Sequence, residues 1–265
     1  MKPPGLQILP TALLEDFSKN VSAEELENAF EKLQDAELSN AGFSFYTSVA
    51  SVYSSKIEGE NIELDSYVKH KRFGVQFQPD YTRKIDDLYV AYQFAKDNIP
   101  NRENLSKVHG ILAKHIVSEN WQGRFRNQNM YVTTKDGRIE YVAASPFEVP
   151  AEMDKFYSDL DTLVNSDLSI TETFFFASLL HLVFVKIHPW NDGNGRTARL
   201  LEKWFLANKL GEKAWFVQSE KNYYFHHDLY YQNIRLLGLE YPALEYTKAL
   251  PFLMMLPQSL TDPAD

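Results

Sequence analysis

One run of twelve residues holds most of the chain's chemical potential: His188, Pro189, Trp190, Asn191, Asp192, Gly193, Asn194, Gly195, Arg196, Thr197, Ala198 and Arg199. His188 is a titratable base that can take a proton near neutral pH. Gly193, Asn194 and Gly195 form a glycine-rich turn entering a helix, which aims free backbone N–H groups at an anion. Glycine permits close backbone approach, and the Asn194 side chain can add a donor. Arg196 and Arg199 are three residues apart, so they share a helical face and can fork onto phosphate oxygens. Cations in a first turn oppose the helix dipole at about 0.3–1 kcal/mol each, a penalty that a bound anion reverses. Asp192 either holds a Mg²⁺ that bridges phosphates or closes an Asx turn ahead of the helix.

The flanking pattern supplies the elements that must position these groups. His188 precedes proline and is therefore biased out of helical geometry, at the end of an apolar helix over 171–187. A second helix opens at Gly195 and runs to Asn208. Upstream, Ser22 to Glu25 has the form of a capping box for a helix to Asp35. A further helix is expected from Leu38 to Ile57, stopped by Gly59, and others over 81–96 and from an Asn104 cap to Val117. Tyr131–Thr134 and Ile139–Val142 read as strands around an Asp136-Gly137 turn. Helices are then expected over 149–163, 219–237 and 242–256. His109, His115 and His181 fall on helical stripes and read as packing groups. The outcome is an all-α bundle with one small β-hairpin. Residues 1–75 form a helical extension, 80–256 the body and 257–265 a tail.

Composition narrows the function classes. A formal charge of −9 over 265 residues argues against nucleic-acid binding, which favours a basic surface. The absence of cysteine removes thiolate catalysis and Cys-ligated metal. The N-terminal residues lack the apolar core of a signal peptide. The apolar run 174–187 contains His181 and Lys186 and is too short to span a bilayer. A cytoplasmic protein without membrane partners is the expectation.

The run from His188 to Arg199 resembles the signature of the Fic family: His-Pro-Phe, any residue, Asp or Glu, Gly-Asn-Gly-Arg, and a second Arg three residues on. Trp190 stands where Phe is usual, which should alter packing rather than chemistry. The resemblance implies a Fic-type helical fold and a protein adenylyltransferase using ATP and Mg²⁺. In that reading His188 takes the proton from a Ser, Thr or Tyr hydroxyl of a target protein as it attacks the α-phosphorus. Asp192 carries Mg²⁺, the turn cradles phosphates, and Arg196 and Arg199 hold the β- and γ-phosphates. The hairpin, through Tyr131, Val132, Tyr141 and Val142, becomes either a flap that lines up an extended target segment or a plain connection. Gly123, Arg124, Phe125 and Arg126 resemble the family's lead-in to that flap and read as structural. Either Tyr224 or Tyr231 occupies the place of an adenine contact, with Tyr231 the working choice. The family often dimerises, but no feature of the sequence decides this.

A second constellation, Ser54, Glu58 and Gly59, resembles the family's inhibitory motif. Ser54 and Glu58 are i and i+4, so the hydroxyl can steady the carboxylate. A carboxylate at a helix C-terminus is disfavoured without a cation. The resemblance makes that cation Arg199, with Glu58 filling the γ-phosphate space. Removal of AMP, transfer of another phosphate-containing group, and a silent nucleotide-binding module remain as alternatives.

Overall fold

The computed structural model describes residues 5–33, 44–133, 137 and 139–261. The expected boundaries at Asp35 and Leu38, and the turn residues Thr134 and Asp136, lie outside them. In chain order the helices are α1 Leu14–Asn20, α2 Ala23–Glu31, α3 Phe45–Ile57, α4 Leu64–Phe73, α5 Pro79–Lys96 and α6 Arg102–Leu112. A hairpin of β1 Tyr131–Thr133 and β2 Ile139–Val142 follows. Then come α7 Val149–Val164, α8 Ile170–Ile187, α9 Asn194–Leu210, α10 Ser219–Phe225, α11 His227–Arg235, α12 Leu250–Leu253 and α13 Met255–Thr261. The fold is all-α with one two-stranded sheet.

α8 is the axis. It is apolar around its whole circumference and buried from Thr173 to Ile187, with α9, α7, α1, α2, α12 and α13 packed around it. At 18 residues it is long and apolar enough to cross a membrane by length and composition, and here it is the core of the bundle. Its start is a full capping box: Ser169 Oγ accepts from Glu172 N–H and the Glu172 carboxylate accepts from Ser169 N–H. At Ser22 only half of the expected box forms, the hydroxyl accepting from Glu25 N–H.

Several expected elements change. Asn101 caps α6, and the expected cap Asn104 is inside the helix, donating its N–H to Asn101 Oδ1. The stretch 219–237 breaks at His226 into α10 and α11. The stretch 242–256 becomes 3₁₀ turns at Tyr241–Ala243 and Tyr246–Lys248, then α12 and α13. Pro242 and Pro251 each remove a helical donor, which a continuous helix over 242–256 does not tolerate. At the N-terminus the buried Asp159 carboxylate on α7 accepts the N–H groups of Gln7, Ile8 and Leu9 at 2.7, 2.8 and 2.9 Å.

Candidate active site

The site lies where α8 ends and α9 begins. His188 caps α8 with φ 54°, the only positive φ outside glycine among the described residues. Arg126 holds this strained turn. Its Nε donates to the His188 carbonyl at 2.7 Å, its Nη2 to those of Ile187 and Ala144 at 3.3 and 2.5 Å, and its Nη1 to that of Gln128 at 2.6 Å. Its own N–H bonds the Pro189 carbonyl. The imidazole Nδ1 is 3.3 Å from the Val185 carbonyl and 3.2 Å from the Tyr141 hydroxyl. A carbonyl only accepts, so Nδ1 carries the proton and Nε2 keeps its lone pair. Burial lowers the His188 pKa to about 4, so the ring is a neutral base at physiological pH.

The loop after His188 is internally braced. Trp190 is fully buried, stacked on His109 at 4.5 Å and on Phe125 at 5.2 Å between ring centroids. The Trp-for-Phe departure is therefore a packing feature. Gly123 N–H donates to His109 Nδ1, and His109 Nε2 donates to the Asp192 carbonyl at 3.0 Å. His109 thus supports the loop. Both polar atoms of the Asn194 side chain are committed to the Trp190 backbone at 2.9 Å. The side chain expected to add a donor to an anion is thus the one that closes the loop. The backbone remains: Gly193 takes φ 80°, and Asn194 and Gly195 open α9.

A carboxylate from α3 sits on that helix start. Glu58 Oε1 accepts from Arg199 Nη2 at 2.5 Å, and a Cβ on Gly195 would collide with the same oxygen. Arg199 is fully buried; its Nε donates to Ser54 Oγ at 2.9 Å and its Nη2 to the Ser54 carbonyl at 3.0 Å. The Ser54 hydroxyl therefore steadies the arginine, not the carboxylate as expected. Burial works to raise the Glu58 carboxyl, but the Arg199 and Arg196 guanidiniums outweigh it and hold it below the usual range. Burial likewise pulls Arg199 down, and Glu58 more than reverses this. Gly59, at φ 90°, is the left-handed residue that ends α3: its N–H bonds Lys56 O and the Glu60 N–H bonds Ser55 O.

Residues 100–206 match the model of the Fic/DOC family. The chain thus carries a Fic/DOC-family region that takes in every residue from His188 to Arg199. It is 38% identical over 79 residues to "Protein adenylyltransferase Fic" of Nematostella vectensis, a match covering 30% of this chain and 16% of that protein. The protein of the same name from Drosophila yakuba is 31% identical over 104 residues, 39% of this chain and 19% of its own. The matched segment thus spans under a fifth of these relatives' length. A Fic family protein from Desulfovibrio desulfuricans shares the fold with a TM-score of 0.74 at 19% identity, over 99% of this chain and 75% of that one. A Fic domain containing signaling protein from Bacteroides thetaiotaomicron does so at 0.62 and 20%, over 94% and 90%.

The Fic signature residues His188, Asp192, Gly193, Gly195, Arg196 and Arg199 are one cluster, and Ser54 and Glu58 join it from α3. Asp192 is exposed, its Oδ1 accepting from the adjacent Gly193 N–H at 2.6 Å and not from the residue two on that an Asx turn requires. Tyr231, on α11, has its hydroxyl pushed up by burial and then by the nearby Glu58 charge. Tyr224 packs against Tyr53 and under the Lys56 ammonium on the outer side of α3.

In the hairpin, Tyr131 pairs with Val142 and Val132 with Tyr141, and the register shifts before Thr133. Tyr131 is exposed, but Tyr141 is buried with its hydroxyl on His188. The base of β2 is already engaged: Val142 N–H donates to Leu239 O at 2.6 Å, and Val142 forms a parallel bridge with Glu240. An added strand therefore has the β1 side as its free edge. Sequence reasoning missed three residues here: Tyr141 as a partner of the base, Glu60, and Tyr230, whose hydroxyl lies 3.4 Å from Arg199 Nη1 and 2.9 Å from His181 Nε2. Only the alternation of β2, with Tyr141 facing Val132, offered a signal for the first of them.

Proposed function

We propose that the protein transfers AMP from ATP to a hydroxyl side chain of a target protein and that Glu58 restrains it. The observation that carries this reading is one juxtaposition: a neutral histidine with a free Nε2 beside a helix start that already holds a carboxylate on a buried arginine. The target oxygen bonds to the α-phosphorus, pyrophosphate leaves, and His188 Nε2 takes the hydroxyl proton. Such a transfer depends mainly on alignment and charge stabilisation. Glu58 stands where the terminal phosphate would meet Arg199, so bound ATP is misaligned until the carboxylate moves. Mg²⁺ commonly uses one or two protein carboxylates and completes its shell with water and phosphate oxygens. The exposed Asp192 fits that requirement and would hold the ion, which supplies charge neutralisation. Tyr231 is the proposed adenine neighbour, and the β1 edge the proposed docking line for an extended target segment.

The test uses ATP labelled at the α-phosphorus with wild type, Glu58→Gly, and Glu58→Gly combined with His188→Ala. The expected order is weak, strong and absent labelling of protein. Strong labelling by the double variant, or none by Glu58→Gly, would overturn the reading. Faster loss of AMP from a modified protein in wild type than in Glu58→Gly would favour removal instead.

A further inference from the structure

The turn that carries Glu58 carries a second acid. Because Gly59 is left-handed, the chain folds back on α3 and Glu60 also faces α9. Glu60 Oε1 lies 2.6 Å from Lys84 Nζ on α5 and 3.4 Å from Arg196 Nη2 on α9. One carboxylate oxygen therefore bridges two cations from two helices. Arg196 is 3% exposed, and its Nε is buried without a hydrogen-bond partner. A guanidinium with an unmet buried donor is short of an acceptor, and a phosphate oxygen would meet it.

We propose that Glu60 is a second latch on the cradle, holding Arg196 as Glu58 holds Arg199, so that one turn neutralises both arginines. The proposal rests on the phosphate-cradle reading above. It goes beyond it in making release a two-carboxylate event, with Lys84 anchoring the second carboxylate from α5. Glu58 and Glu60 share one turn, in which both of their N–H groups bond Ser55 O and the Gly59 N–H bonds Lys56 O. Removing Glu58 alone leaves Arg196 still compensated, so the Glu58→Gly protein is only partly open.

The experiment is calorimetric binding of ATP to wild type, Glu58→Gly, Glu60→Gln and the double variant. Glu63→Gln serves as the charge control, since Glu63 is exposed and pairs with Lys56 at 3.5 Å. Glutamine keeps the shape of Glu60 and removes its charge. The expected result is ATP bound about two- to fivefold tighter on Glu60→Gln in both backgrounds, with Glu63→Gln unchanged. Equal effects of Glu60→Gln and Glu63→Gln, or no effect of Glu60→Gln where Glu58→Gly gains, would overturn the second latch alone. Gains at both positions without AMP transfer would sink the proposed activity and leave the latch standing. ATP binding by none of the variants would overturn both.

Discussion

At the scale of single residues the site divides into a base and a cradle, and the two should fail differently. His188→Ala in the Glu58→Gly protein should lower transfer by about 10²–10⁴ while ATP still binds, because the cradle is untouched. Single-turnover labelling beside calorimetry separates the two effects, and near-normal transfer would remove His188 as the base. Asp192→Ala should weaken ATP only when Mg²⁺ is present, whereas Arg196→Ala should weaken it at any Mg²⁺ level. Calorimetry across a Mg²⁺ series checks this, and an unaltered Mg²⁺ dependence for Asp192→Ala would take the ion away from that carboxylate. Gly195 is constrained by contact: a Cβ there meets Glu58 Oε1 and Arg199 Nη1.

At the scale of elements, the decisive feature is the strained end of α8, over-determined from outside. Arg126 supplies four side-chain bonds to backbone carbonyls around His188. Arg126→Leu strands those acceptors, and a buried unsatisfied acceptor costs about 1–3 kcal/mol. The variant should show a lower Tm and lose transfer. Arg126→Lys should not restore it, because one ammonium cannot reproduce the planar fork. Full activity with lysine would show that charge alone suffices.

At the scale of the whole molecule, burial of histidines sets an acid limit. His109 and His188 both have folded pKa values of about 4, lowered chiefly by burial, against an unfolded value near 6.5. Between these values the unfolded chain binds more protons than the folded one, so stability falls as pH drops from about 6.5 toward 4. Glu58, held below its usual range, adds to the same trend as it protonates at lower pH. Calorimetric Tm values should decline as pH falls below about 6.5. Histidine ring NMR should show both groups still neutral at about pH 5.5; titration of either near 6.5 would contradict the buried, neutral assignment.

The run from His188 to Arg199 was legible in the sequence because its geometry is local. A helix end, a glycine turn and a helix start bring the base, the nest and both arginines together by spacing alone. The apolar circumference of α8 and the hairpin were legible for the same reason, as periodicities of neighbouring residues. Contacts between distant segments were not. Glu58 and Arg199 are 141 residues apart, Glu60 and Arg196 136, and Asp192 and His109 83. The family resemblance anticipated the first of these; periodicity and spacing could give none of them. Asn194 shows the converse: its type suited anion binding, but the closing loop took both polar atoms. Residue types and short spacings determined what chemistry this chain can offer. Only tertiary packing decided which donors remain free, because a buried polar group takes whichever partner the fold brings within reach.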